Sequence, residues 1–474
     1  MELIKDKLNL DVITSIFNAQ KENQFTVANK SIKERKKKLL ALKKAVEITY
    51  RNAIVEALHK DMRKPKAEVD LTEIYPVTSE IKHTLRHLNS WTDKERVGTP
   101  LAFFGSTSYI KYEPKGVCLI ISPWNFPVNL TLAPLVSAIA AGNTVILKPS
   151  EMTPHISKVM KTMIASIFDE NEVTLIEGAV QTSTGLLSLP FNHIFFTGSP
   201  AIGKVVMSAA AKHLTSVTLE LGGKSPTIID ETANIKMAAK RIAVGKFANA
   251  GQVCIAPDYI YVHKSKEQEL LEELKQVLIS FYKDDANQSE NYTCIVNEHH
   301  KKRILSIVKD SVEHGSVVFY GGNIAKKSNS IEPTILTNVK MKSRVMQEEI
   351  FGPILPVISY DKIDEVIDTV NDKEKPLALY VYSKKKKNVN YILNNTRAGG
   401  SCINNNAIHF YNNNLPFGGS NNSGIGKSHG FFGFQEFSNA RGVLKQFMPG
   451  ALDLLTPPYT GLKEKIINLT IKWL

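Results

Sequence analysis

The chain has 474 residues, of which 43% are hydrophobic and 22% charged, which excludes a disordered chain and allows two or three domains with sizeable cores. A net charge of +13 leaves nucleic acid, a membrane or an anionic cofactor as charge partners. The lysines are scattered, with local runs at Lys36–Lys38 and Lys384–Lys387 and no interleaved aromatics, so they read as solvated surface and no nucleic-acid partner is expected. The four cysteines, Cys118, Cys254, Cys294 and Cys402, are irregularly spaced and give neither a disulfide framework nor a zinc site. No metal is expected, and His299–His300 beside Glu298 lacks metal-ligand spacing and reads as exposed. Met1–Asp6 opens no signal peptide, and no apolar run is long enough to span a bilayer. A reducing cytoplasm is the expected location.

In chain order, Ile32, Leu39, Leu42, Val46, Ile54 and Leu58 recur at helical spacing, which predicts helix over 31–62. Amphipathic helices continue to about Trp91, and Tyr109–Tyr112 alternates as a strand. Strands and helices then alternate over 117–122, 127–141, 144–148, 153–168, 174–177, 193–196 and 203–213, the rhythm of an open parallel sheet. A second α/β region follows Gly222, with strands at 225–230 and 259–263 and helices reaching Ala248 and spanning 268–283. No internal repeat or low-complexity linker interrupts the chain. The clusters Asn404–Asn406 and Asn412–Asn414 read as compositional loop features.

Four motifs carry chemistry. In Pro123-Trp124-Asn125-Phe126-Pro127, two prolines stiffen a strand end around an asparagine. The ordinary reading is a turn residue; the functional one is an amide that holds an oxyanion. In Phe195-Phe196-Thr197-Gly198-Ser199-Pro200-Ala201-Ile202-Gly203-Lys204, a strand runs into a helix N-terminus, which suits phosphate. It is not a P-loop, because Val205 stands where a hydroxyl would hold Mg2+, and Pro200 replaces the middle glycine of the dinucleotide fingerprint. Glu220-Leu221-Gly222-Gly223-Lys224-Ser225-Pro226 supplies a carboxylate, and Asn249-Ala250-Gly251-Gln252-Val253-Cys254 a thiol, 34 residues further on. A thiol and a carboxylate base are what covalent acyl chemistry needs. Free cysteine is usually a small hydrophobe, and Cys118, inside the apolar run 116–121, fits that reading. Cys294 and Cys402 show no activating carboxylate or histidine pattern, whereas Cys254 follows a turn of small residues.

Together and in this order, these motifs resemble the aldehyde dehydrogenase superfamily. Lys148-Pro149-Ser150-Glu151, Gln347-Glu348-Glu349-Ile350-Phe351-Gly352-Pro353 and Leu415-Pro416-Phe417-Gly418-Gly419-Ser420 extend the match, which runs from the first helices to Ser438. Gln252–Tyr259 resembles the class 3 branch, which holds enzymes of fatty, aromatic and apocarotenoid aldehydes. The lack of lysine between Val128 and Asn143 agrees with that branch. The resemblance implies an α/β fold with an open-sheet, Rossmann-like NAD(P)-binding domain at 1–95 and 115–221. It also implies an α/β catalytic domain at 222–418, a bridging or oligomerisation element at 96–114 and 419–474, and a homodimer.

The resemblance implies oxidation of a hydrophobic aldehyde to a carboxylic acid through a cysteine thiohemiacetal and thioester. Cys254 is then the nucleophile, Glu220 the base for hydrolysis, and Asn125 with the Cys254 backbone N–H the oxyanion site. NAD is the expected cofactor, with NADP tolerated. Lys148 and Glu151 would hold the adenosine ribose, Gly198 and Gly203 would border the pyrophosphate, and Glu349 with Phe351 would position the nicotinamide ribose. Trp124, Ser150, Ser199 and Leu221 complete the expected cofactor contacts. Substrate choice is expected in loops near Tyr411 and Phe432. A cofactor-independent thioester or ester hydrolase using Cys254 and Glu220 leaves Lys148, Glu151 and Glu349 unexplained. A non-catalytic binding protein would have lost Cys254 or Glu220, and both are present.

At the C-terminus, Leu462, Ile466, Leu469 and Trp473 form a helical stripe, widened by Ile467, Ile471 and Leu474 and flanked by Lys463, Lys465 and Lys472. The ordinary reading is a face packed on the protein or across a dimer. The alternative is a peripheral anchor at the inner face of a membrane, since the helix is too short to span one. Pro457-Pro458 breaks the chain before it.

Overall fold

The computed structural model describes residues 10–283, 285–325, 328–450, 453 and 455–473. The opening stretch Met1–Asp6, the side chain of Trp473 and Leu474 lie outside what is described. The helix Ile32–Lys44 starts at a capping box, in which the Ser31 N–H donates to Glu34 Oε2 at 2.8 Å and the Ser31 hydroxyl caps the Glu34 N–H. The expected helix over 31–62 is interrupted. A π-turn at Ala45–Thr49 re-phases the apolar stripe, so Leu42 before it and Ile54 after it are both fully buried. Helix Arg51–Met62 ends at Arg63 in the left-handed region, φ 53°. Helix Tyr75–Thr92 then buries Val77, Ile81, Leu88 and, on the same face, Glu80.

The first sheet has six strands in the order Gly424–Ile425, Ser216–Leu221, His193–Gly198, Val117–Ile121, Thr144–Lys148 and Val173–Leu175. All pairs are parallel except the outermost, Gly424–Ile425 on Ser216–Leu221. Val117–Ile121 and Thr144–Lys148 are buried along their whole length, which is why they read as continuous apolar runs rather than alternating ones. The chain builds outward from Val117–Ile121 and then returns to place His193–Gly198 on its other side. Between those two strands lies a topological switch point, and ligands of open α/β sheets bind at the carboxyl ends there. The helix after His193–Gly198 starts earlier than expected, at Pro200, because Ser199 caps it and proline suits the first turn.

The second sheet has seven strands: Val317–Tyr320, Thr334–Thr337, Ile354–Tyr360, Tyr259–His263, Pro226–Ile229, Ala378–Tyr382 and Gly400–Ile403. Only its first pair is antiparallel. Residues 222–225 carry the chain from the first sheet to the second, and residues 404–423 carry it back from Gly400–Ile403 to Gly424–Ile425. A third, antiparallel sheet joins Glu95–Val97, Ser106–Pro114 and Ser438–Gln446. The C-terminal helix Gly461–Trp473 does not bury its stripe on the rest of the chain: Leu462 is 71% exposed, Leu469 63% and Ile471 78%. No helix among the described residues is long and apolar enough to cross a membrane.

Candidate active site

Asn125 lies in the turn between strand Val117–Ile121 and helix Pro127–Ala141, and it is buried. Its carbonyl accepts from the Lys64 ammonium at 2.9 Å and the Asn249 side-chain amide at 3.0 Å. Lys64 is fully buried, pairs with Glu73 at 2.8 Å, and sits 4.4 Å from the centre of the Phe126 ring. Glu73 in turn accepts the N–H groups of Val128 and Asn129, at 3.1 and 3.0 Å, in the first turn of helix Pro127–Ala141. A buried ion pair of this kind is a weak source of stability, but each partner needs the other. It fixes the backbone on which the Asn125 amide stands.

The loop before Cys254 has an unusual backbone. Asn249, Ala250 and Gly251 are consecutive residues in the left-handed region, φ 50°, 51° and 74°. That conformation costs a non-glycine residue about 1–2 kcal/mol, so the surroundings must hold it. The Asn249 N–H donates to Glu68 Oε1 at 2.7 Å, and Gln252 is fully buried, donating to the carbonyls of Asn249 and Cys294 at 2.9 and 3.1 Å. Gly251 must be glycine for a second reason: a Cβ there would lie 2.2 Å from the Gly352 carbonyl oxygen. The Asn125 amide donates to the Gln252 carbonyl at 3.0 Å, which ties the two loops together.

Cys254 is half-buried, and burial pushes its thiol up to about 12, helped by the charges of Glu349 and Glu220. The backbone N–H groups of Cys254 and Ile255 act in the opposite direction. Glu220 is buried near the end of strand Ser216–Leu221, and burial pushes its carboxyl up to about 8. The Ser428 hydroxyl, donating to Oε1 at 2.9 Å, and Lys427 pull it down, while Glu436 raises it. Glu220 Oε2 has no hydrogen-bond partner among the described residues. A carboxyl in that range can take and release a proton near neutrality.

Cys254 stands between two cavities. One is enclosed, about 40 Å³, and also lined by Glu220 and Thr197. The other is about 760 Å³ and mostly apolar, lined by Leu71, Phe126, Leu130, Val244, Ile408 and Phe410 among others. Tyr411 lines the large cavity, as expected for its mouth; Phe432 does not. Asn405 and Asn406 line it too, and the Asn406 amide donates to the Tyr382 hydroxyl at 2.8 Å. The side chain of Asn404 brackets Ser383, accepting its N–H and donating to its carbonyl at 2.9 Å each. This asparagine cluster is therefore structural, contrary to its compositional reading.

The residues expected to hold a cofactor gather at the carboxyl ends of the first sheet. Gly203 lets its helix close on the end of Ser216–Leu221: a Cβ there would lie 2.8 Å from the Leu221 side chain. A Cβ on Gly198 would lie 2.5 Å from the Phe196 ring, and Ser199 caps the helix that follows. On the neighbouring strand end, buried Lys148 donates to the Pro149 carbonyl at 2.7 Å and lies 3.7 Å from Glu151. Ser150 Oγ accepts the Met152 N–H at 3.2 Å, a local turn contact. From the second sheet, Glu349 accepts the Gly223 N–H at 3.1 Å and presses on Gly222, while Phe351 packs edge-on to Trp124 with ring centres 5.4 Å apart. Burial pushes Glu349 up to about 7, with Asp258 adding to it. Carboxylates for ribose hydroxyls, an ammonium and a capped helix N-terminus at a switch point form a donor set that fits a dinucleotide.

Sequence reasoning missed the scaffold behind these groups. Lys224 bonds the Asp258 carboxylate and the carbonyls of Val345 and Glu348, and Asp258 accepts the Ile350 N–H at 3.0 Å, so the Glu349 loop is clamped. Lys64, Glu68 and Glu73 do the same for the Asn125 and Cys254 loops. The available signal was the charged cluster Lys64, Glu68 and Glu73, in the turn after helix Arg51–Met62 and the short helical turns that follow it. Two further expectations are corrected. His300 is not exposed; it packs on Trp124 at 5.1 Å, and burial lowers it to about 4. Cys402 does have a histidine neighbour, His409 Nδ1 at 3.2 Å, but burial lowers His409 to about 4 and raises Cys402, so the pair is not activated.

Residues 6–443 match the Aldehyde dehydrogenase family. The chain belongs to that family. Among its relatives is the 4,4'-diaponeurosporen-aldehyde dehydrogenase of Staphylococcus aureus, 42% identical over 98% of this chain and 100% of that one. Another is the mouse (Mus musculus) "Aldehyde dehydrogenase, dimeric NADP-preferring", 42% identical over 91% of this chain and 94% of that one. The solved structure described as the substrate-bound state of Staphylococcus aureus AldH superposes with a TM-score of 0.93, at 42% identity over 98% and 100% of the two chains. Relatives named as family 3 members place this aldehyde dehydrogenase on the class 3-like branch. It is an NAD(P)-dependent oxidoreductase that converts an aldehyde to a carboxylic acid.

Proposed function

We propose that Cys254 attacks the aldehyde carbonyl and that Asn125, with the Cys254 N–H, holds the resulting oxyanion. The observation that carries this reading is the pairing of Cys254 and Glu220 on one enclosed cavity, with the Asn125 amide tied to the Cys254 loop. NAD(P)+, when bound, supplies the hydride acceptor. Glu349, Phe351 and Trp124 would hold its nicotinamide half, Lys148, Ser150 and Glu151 its adenosine ribose, and Gly198, Ser199, Gly203 and Leu221 its pyrophosphate. Cys254 is then left as a thioester, and Glu220 takes a proton from the water that cleaves it. Mass spectrometry of enzyme quenched during turnover tests the reading. An acyl adduct on Cys254, lost together with activity in Cys254→Ala but not in Cys118→Ala, is the expected result; substantial turnover in Cys254→Ala sinks it.

The large apolar cavity supports a hydrophobic aldehyde, fatty, aromatic or polyene. Glu151 supports a preference for NAD over NADP, since a carboxylate accepts from a ribose 2′-hydroxyl and repels a 2′-phosphate. The three sheets support a division into a cofactor domain at 1–95 and 115–221, a catalytic domain at 222–418 and a bridging element at 96–114 and 419–474. We read the enzyme as a cytoplasmic homodimer, with the dimeric mouse relative in support. The exposed stripe Leu462, Ile466, Leu469 and Ile471, with Lys463 and Lys465 beside it, supports peripheral contact with an anionic membrane.

A further inference from the structure

The enclosed cavity beside Cys254 is not lined only by the reacting groups. Four of the residues lining it bear an oxygen with no hydrogen-bond partner among the described residues: Glu220 Oε2, Thr197 Oγ1, Asn129 Oδ1 and Glu80 Oε2. The residues that bear them are 6%, 8%, 3% and 1% exposed. A buried polar oxygen with no partner costs about 1–3 kcal/mol, so four around one space make a site for water. About 40 Å³ is room for roughly two or three waters, and the oxygens supply the several partners each water needs.

The far end of the cavity is built for protons. Glu80 Oε2 lies 3.7 Å from His429 Nδ1, and Glu80 Oε1 accepts the Gly430 N–H at 2.8 Å. His83 is one turn beyond Glu80 on helix Tyr75–Thr92, and its Nε2 faces Gly430, where a Cβ would lie 3.1 Å from it. His83 is half-buried and packs on exposed His87 with ring centres 4.3 Å apart. At the near end, Glu220 is faced by Ser428, Lys427 and Glu436. Residues 427–430 thus run from the reacting carboxyl to the Glu80 end.

We propose that this cavity is a water-filled proton exit for Glu220, running through Glu80 and His429 to His83 and His87 at the surface. The proposal rests on Glu220 being the base of hydrolysis. In that step the water oxygen bonds to the acyl carbon, the carbon–sulfur bond breaks with its electron pair left on sulfur, and one water proton goes to Glu220. The acid leaves with the other proton. Glu220 must then lose its proton before the next cycle, while acid product and reduced cofactor still crowd the other approaches. Waters in the cavity relay the proton from Glu220 to the Glu80–His429 pair, and His83 hands it out. Glu80 and His429 do not line the large cavity that would take the aldehyde; they are positioning and relay residues.

The test follows decay of pre-formed acyl-enzyme in Glu80→Gln and His429→Gln, both of which keep hydrogen-bonding side chains. Formation of the acyl-enzyme, read as the first burst of NADH, is expected to stay near wild type. Steady turnover is expected to fall about tenfold, with a larger solvent deuterium isotope effect, and to recover in part with added imidazole. Unchanged turnover in both variants, or slow turnover with neither an isotope effect nor imidazole rescue, overturns the exit. If Glu80→Gln does not fold, His429→Gln alone decides. Glu220→Gln separates the two readings. If it stalls as acyl-enzyme while Glu80→Gln and His429→Gln run normally, only the exit is wrong; if Glu220→Gln itself runs normally, the base assignment is wrong.

Discussion

The side-chain amide of Asn125 donates to the backbone carbonyl of Gln252 at 3.0 Å, which ties the proposed oxyanion donor to the loop of the proposed nucleophile. One amide hydrogen is spent on that bond, and the second remains for substrate oxygen. Asn125→Ala is expected to lower kcat by about 10²–10³-fold, the scale of one lost oxyanion donor. Cofactor affinity should change little. Comparing kcat with cofactor Kd checks it, and a loss confined to cofactor binding would remove Asn125 from the oxyanion site.

The carboxyl of Glu220, pushed up to about 8 by burial, sets a pH dependence. Below that value it is protonated and cannot accept a proton; above it, it is a carboxylate and can. Hydrolysis of acyl-enzyme should therefore rise with pH through about 8 and level off, with a log slope nearing about 1 on the acid side. Glu220→Gln should abolish the rise and accumulate acyl-enzyme. A wild-type rate flat from about pH 6 to about pH 9 would assign water activation elsewhere.

Lys64 and Glu73 form a fully buried pair behind Asn125. Lys64→Met leaves the Glu73 carboxylate buried without its counter-ion, and a loss of about 3–5 kcal/mol is expected in denaturant unfolding. The double variant Lys64→Met/Glu73→Gln should recover much of that stability yet stay slow, because the Asn125 carbonyl has still lost its ammonium donor. Full activity in the double variant would show that Asn125 needs no such support.

The proposed preference for NAD rests on Glu151, 3.7 Å from the Lys148 ammonium. Replacing the carboxylate by the neutral amide in Glu151→Gln should move the kcat/KM ratio about tenfold toward NADP, or about 1.4 kcal/mol. A ratio that does not move would mean Glu151 is turned away from the ribose in the working enzyme.

Truncation after Thr460 removes the exposed C-terminal stripe. Full-length enzyme is expected to sediment with anionic liposomes and the truncated enzyme to stay in solution, with equal activity on a short soluble aldehyde. Equal, low sedimentation of both would leave dimer contacts as the use of that stripe.

Much of this architecture was legible in the sequence because its signals are local. The continuous apolar runs at 117–121 and 144–148 announced strands buried on both faces, and they are. Cys254, Glu220 and Asn125 stood out because small residues and prolines mark the turns that carry them. What stayed hidden depends on contacts distant in sequence. Nothing local says that Lys64 reaches Asn125, that Glu68 holds the strained backbone at Asn249, or that His409 turns toward Cys402. The π-turn at Ala45–Thr49 was invisible for a related reason: one extra residue shifts phase without altering composition.

The four-residue link at 222–225 separates Glu220, the proposed base at the end of a strand of the first sheet, from Cys254, the proposed nucleophile, which precedes a strand of the second. The large cavity is walled by the second region, the N-terminal helices and the start of helix Pro127–Ala141, while Glu220 is fastened to the first sheet and to Ser428. On the proposed mechanism, substitutions at Val244, Ile408 or Tyr411 can therefore reshape what is accepted without displacing the Glu220 carboxyl. A lineage built on this chain can drift through aldehydes of different length and shape in single steps, each intermediate still able to release its product.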